Sequence, residues 1–161
     1  MVPDEARTRI TIGAQDTLIE TEPLQGGARE WMLDIGTQAL GTGPFRHTPP
    51  TPLELEHAIE HVENAVMPLK RQLPPGSQLV TGDAWARELY RVTHEREAGG
   101  ALLLIDDIEE VFNQLVTVSL GSPAAASGLP PQATFAAYVL ILRETMHHLG
   151  FASLLLRPHP D

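Results

Sequence analysis

Thr51-Pro52-Leu53-Glu54 restricts this chain more than any other segment. A threonine whose hydroxyl can accept from a backbone amide, a proline at the first helical position and a glutamate that can reach back form the start signal of a helix. After it Leu55, Ile59, Val62, Val66, Leu69 and Leu73 recur at steps of four and three, one continuous apolar stripe. The spacing predicts a helix from Leu53 toward Leu73, disturbed at Pro68 because proline lacks the amide donor, and stopped by Pro74-Pro75-Gly76. A stripe that long must be buried against other elements.

Those elements lie on both sides. Arg7–Ala14 and Thr17–Glu22 alternate apolar and polar residues, and Glu30–Ile35 forms a third short apolar run beyond the turn at Gln25-Gly26-Gly27. Three strands joined by tight turns predict an antiparallel meander. Residues 41–51, rich in glycine and proline, read as an internal linker, and residues 1–6 as a frayed start. After the striped helix, Ser77–Thr81 reads as a brief strand and Asp83 as the N-cap of a helix that Gly99-Gly100 ends. A further helix begins near Asp106, with Asp106, Asp107, Glu109 and Glu110 at the positive end of its dipole; the same four carboxylates also admit reading as a magnesium cluster. Gly121–Pro131 is a loop, and Gln132–Leu149 is a helix apolar nearly all round, placed at the centre of the core and closed by Gly150. Phe151–Leu156 reads as a last strand. The expected fold is α+β: an N-terminal antiparallel β-meander followed by a mostly helical part with one or two further short strands, in a single globular domain spanning 1–161.

The chain contains no cysteine, which removes disulfides, thiolate metal sites and cysteine nucleophiles. Its N-terminus has no basic segment leading into an apolar one, and its apolar runs are too short to span a bilayer, so the expected location is the cytoplasm. A formal net charge of −10 opposes nucleic acid and anionic lipid as partners. Lys70 is the single lysine; the arginine bias, with much alanine, glycine and proline, is that of a GC-rich bacterial genome.

Two fragments resemble known chemistry. His57-Ala58-Ile59-Glu60-His61 resembles the H-x-x-E-H motif of the inverted zinc metalloproteases. The resemblance implies zinc held by His57 and His61, water activated by Glu60, and a downstream ligand such as Glu144. The histidines fall on the polar side of the helix, where a solvated face rich in Glu and His accounts for the same residues. Asp34-Ile35-Gly36-Thr37 resembles the phosphate-facing D-x-G-T hairpin of the actin-like sugar kinase and chaperone superfamily, which implies that the Asp engages a metal-bound nucleotide. A strand ending in a glycine turn accounts for it equally.

With no complete catalytic constellation, the expectation is a non-catalytic accessory, regulatory or assembly module without a cofactor, acting through a protein partner or through helix-mediated homo-oligomers. The alternative is a small enzyme or small-ligand binder. Its pocket would lie between sheet and helices under the Gly121–Pro131 loop, with His47, Glu144 and His148 as polar groups, or would use metal on the face of His57, Glu60 and His61.

Overall fold

The computed structural model describes residues 6–23, 26–94 and 101–157. The meander forms as expected, from β1 (Arg7–Ile12), β2 (Thr17–Glu22) and β3 (Arg29–Leu33), each antiparallel to the one before. Alternation decides the register. Thr8, Ile10 and Ile12 of β1 and Thr17, Ile19 and Thr21 of β2 point into the protein, while Arg7, Arg9 and Thr11 share the opposite face with Glu20 and Glu22. A slip of one residue would exchange the two sets.

The helix α1 (Pro52–Val66) starts where the capping signal places it. The Thr51 hydroxyl accepts from the Glu54 amide at 3.2 Å, and the Glu54 carboxylate accepts from the Thr51 amide at 3.0 Å. Leu55, Ala58, Val62 and Val66 form its buried face. Pro68 does not kink a longer helix; it sits inside a short 3₁₀ turn, Met67–Leu69, that replaces the last α-turn. The stretch before α1 is fastened to it, since the same Glu54 carboxylate accepts from the Arg46 amide at 2.6 Å and meets the His47 ring at 2.8 Å.

That convergence has a pH consequence. Partial burial by itself would raise the Glu54 carboxyl, but the Thr51 and Arg46 amides and the His47 ring outweigh it, bringing the pKa from 4.5 to about 2. Because the folded value is the lower one, the stabilisation is present above the ordinary carboxyl range and is lost as the pH falls toward 2. Glu54→Gln should therefore be less stable than the parent at pH 7, with the gap closing between pH 4.5 and 2 in paired thermal melts. A gap that stays constant across that range contradicts this account.

The second half adds β4 (Gln78–Thr81), α2 (Ala84–His94), β5 (Leu102–Leu104), α3 (Ile105–Ser119), α4 (Ala133–Leu149) and β6 (Ser153–Leu156). Two of these strands are the expected ones. The third, β5, has three residues, too few to show a period. All six strands join one mixed sheet in the order β3-β2-β1-β4-β6-β5, with β1, β4 and β6 parallel. The sheet is thus not confined to the front of the chain. At the start of α3 the Asp107 carboxylate accepts from the Leu104 amide at 3.0 Å, so this acidic residue serves a helix end. The helix α4 packs beside both α1 and α3, and its residues from Phe135 to Leu142 are buried without a break, as an all-round apolar helix requires. Gly150 ends it with φ of 79°, a backbone conformation that glycine takes without steric cost. One apolar cluster joins the inner sheet face (Ile10, Ile19, Leu79, Leu154) to all four helices. Among the described residues no helix is long and apolar enough to cross a membrane. The expected turn at Gln25, the helix stop at Gly99-Gly100 and the first five residues lie outside the described residues.

Candidate active site

From β1 the chain runs outward through β2 to β3, then returns past β1 to place β4, β6 and β5 on its other side. The strand order therefore reverses between β1 and β4. In open sheets of this kind, the carboxyl ends of the two parallel strands at the reversal border a crevice in which ligands bind. Here that edge is formed by the turn Gly13–Asp16 after β1, the segment Ile35–Ala39 after β3, and Gly82-Asp83 after β4.

The D-I-G-T fragment belongs to this rim, at the end of β3. The Thr37 amide donates to the Gly13 carbonyl at 2.9 Å and the Gln38 amide to the Ala14 carbonyl at 2.8 Å. Gly36 is buried against the same turn so closely that a Cβ on it would lie 2.4 Å from the Ala14 carbonyl oxygen. Close approach of two protein backbones is thus enough to require this glycine. Asp34 is exposed, and its carbonyl faces the His61 ring nitrogen Nε2 at 3.4 Å.

Asp83 occupies the position before α2, as the sequence predicts for a cap, but its side chain is used elsewhere. Its Oδ2 accepts from the Ile12 amide at 3.0 Å and from the Tyr138 hydroxyl at 2.9 Å, and among the described residues no α2 amide donates to the carboxylate. The Thr81 hydroxyl donates to the Ile10 carbonyl at 2.8 Å and accepts from the Asp83 amide at 3.1 Å, fixing the approach of the chain. Arg87 reaches back to the Gly82 carbonyl at 2.8 Å. Burial raises the Asp83 carboxyl above its ordinary 3.8, and the donors from Ile12, Tyr138 and Thr81 and the charge of Arg87 offset this only in part. Tyr138 is fully buried, and burial together with the Asp83 charge pushes its hydroxyl well above 10.0, so it stays protonated as a donor. A desolvated carboxyl held at the carboxyl-end edge of the sheet is equipped for proton transfer. Its partners come from positions 71 and 55 residues away in sequence, so no motif announces them.

The other candidate residues are dispersed. His57 and Glu60 are exposed on α1; His61 is half-buried, its ring against Gly41. No group of three or more potential metal ligands among the described residues includes any of them. His47 pairs with Glu54 at the surface and does not approach Glu144 or His148. Those two do meet, the His148 Nε2 lying 3.3 Å from the Glu144 Oε1, and Glu63 of α1 joins them. The Gly121–Pro131 loop borders a cavity of about 250 Å³ lined by residues including Thr48, Leu115 and Leu129, with neither Glu144 nor His148 among its lining residues.

No family model matches the sequence, and no curated protein does. The fold, in contrast, is shared with solved enzymes. A PPX-GPPA enzyme of Aquifex aeolicus superposes with a TM-score of 0.77 at 16% identity, over 98% of this chain and 55% of that one. The type II variant of the Aquifex aeolicus Ppx/GppA phosphatase gives 0.78 at 16%, over 98% and 54%. An exopolyphosphatase from Cytophaga hutchinsonii gives 0.72 at 14%, over 96% and 54%. The fold is that of the Ppx/GppA enzymes, and this chain spans about half the length of those it matches. The expectation of a non-catalytic accessory or assembly module working through protein binding is corrected by this likeness: the architecture is one that enzymes use, and the small-enzyme alternative fits it better. The sequence missed it because identities near 16% leave no motif to match, while the order of strands and helices persists.

Proposed function

We propose that this chain is an enzyme domain acting on a phosphate-bearing substrate, with the reaction at the carboxyl-end edge of β1 and β4. The observation that carries this reading is the correspondence of 98% of the chain with the fold of a Ppx/GppA enzyme, at a TM-score of 0.77. The desolvated Asp83 at the strand-order reversal supports it independently. In the proposed reaction water attacks the terminal phosphorus of a phosphoanhydride and the bridging P–O bond breaks. The Ile12 and Tyr138 bonds both fall on Oδ2, and Oδ1 is the oxygen that takes the proton of the attacking water. The net charge of −10 opposes an anionic substrate at long range, but screening confines that field to about 8 Å at physiological ionic strength. The whole chain acts as one domain, in the cytoplasm.

The test is release of inorganic phosphate from polyphosphate with magnesium, by the full-length protein and by Asp83→Asn. The amide oxygen of Asn can still accept from Ile12 and Tyr138, so the variant keeps its fold, which circular dichroism verifies. Release should fall about 100-fold, the scale of a lost general base. Release within threefold of the parent removes Asp83 from the reaction. A parent that neither binds polyphosphate nor releases phosphate from it or from nucleoside triphosphates removes the reading altogether.

A further inference from the structure

We infer that Glu63, Glu144 and His148 form a binding site for a divalent transition ion of the zinc type, joining α1 to α4. Glu144 and His148 sit one helical turn apart on α4, and Glu63 reaches them from the neighbouring α1. One ligand atom from each lies within 4.8 Å of the other two. The His148 Nε2 stands 3.3 Å from the Glu144 Oε1 and 3.9 Å from the Glu63 Oε2. Bonds of about 2.0–2.2 Å in a tetrahedron place donor atoms about 3.3–3.6 Å apart, so the two α4 ligands already stand at that separation. Only the Glu63 arm has to move, and its side chain is 45% exposed and free to do so.

Charge supplies the second argument. Glu144 is 98% buried, and a buried carboxylate needs compensation. Its neighbour Arg143 provides one positive charge, which is shared, since the guanidinium bonds the Glu144 Oε2 and also the Glu109 Oε1 at 3.0 Å, lying over the Phe112 ring. Glu63, Glu109 and Glu144 against Arg143 leave two negative charges when His148 is neutral, the amount one divalent ion cancels. Arg143 takes Oε2 and orients the carboxylate, so that Oε1 faces His148. His147 stacks edge-on against the His148 ring at 5.3 Å. An imidazole among the ligands selects zinc-type ions over magnesium and calcium, which take oxygen. Glu63 and His148 are the accessible members, so the ion enters from their side, and water completes its shell.

The site is separate from the crevice and does not rest on the function proposed above. The helix α4 leads into β6, which runs parallel to β4, so its last turn lies at the amino-end edge of the sheet. Titration calorimetry of the full chain with zinc chloride should give one ion per chain, and zinc should raise the melting temperature. Glu63→Gln and His148→Ala should each weaken binding at least about 10-fold and abolish most of that rise. Magnesium chloride should give neither signal. Glu63→Gln alters a half-exposed residue, and its metal-free melt verifies that it folds. The double variant His57→Ala/His61→Ala should bind within threefold of the parent. Zinc binding that survives both single variants, or that disappears in the double variant, overturns the proposal, as does a parent that binds no zinc.

Discussion

Gly36→Ala should lower the melting temperature by about 6–12 °C, more than a surface substitution in a domain of this size. The added Cβ would stand 2.4 Å from the Ala14 carbonyl oxygen, 2.5 Å from its carbonyl carbon and 2.7 Å from the Gln15 nitrogen. All three are backbone atoms, so no flexible side-chain end can move aside. The hydrogen bonds from Thr37 and Gln38 to Gly13 and Ala14 hold the two segments at that separation and would have to lengthen together. Overpacking of this kind costs about 3 kcal/mol where the surroundings are rigid. Thermal unfolding followed by circular dichroism measures it. A melting temperature within about 2 °C of the parent would show that the turn and the segment after β3 separate freely, and would remove the packing reason for this glycine.

Phe135→Ala should have an effect of similar size from the opposite cause, a void. Phe135 is fully buried in the first turn of α4, with its ring edge-on to Trp85 of α2 at 5.4 Å between centroids. Truncating a buried phenylalanine costs about 3–5 kcal/mol, part for transfer and part for the cavity left behind. The expected fall in melting temperature is about 6–20 °C. Trp85 loses its aromatic partner, so its fluorescence should move to longer wavelength, an effect that Trp85→Phe in the same background would remove. The pair also ties α2 to α4 beside the Asp83 and Tyr138 contact. An unchanged melting temperature with unchanged emission would contradict the packing described for α4.

Local chemistry made much of this architecture legible. Thr51 and Glu54 cap α1 because both halves of the interaction lie within four residues, and Gly150 ends α4 for an equally local reason. Alternation in β1 and β2 and the unbroken apolar surface of α4 reported burial directly. The strand β5 was silent because three leucines show no period. At Pro68, where the sequence predicts a kink or a restart, the α-helix gives way to a 3₁₀ turn, and the apolar stripe continues because the side-chain spacing survives a tighter turn. The H-x-x-E-H fragment has real helical spacing, but spacing places the residues on a face without stating what covers that face. In the fold His57 and Glu60 remain exposed.

The sequence by itself determined where α1 begins and α4 ends, which residues of β1 and β2 face inward, and which helix lies deepest, since each depends on residues a few positions apart. Only the tertiary structure decided the order of strands in the sheet, and with it the reversal between β1 and β4 that makes an edge with Ile12, Asp83 and Tyr138 together. It alone brought Glu63 to Glu144 and His148, and set the β1–β2 turn against Gly36. These meetings join residues tens of positions apart through the packing of whole elements, and no local pattern of side chains encodes a distance of that kind.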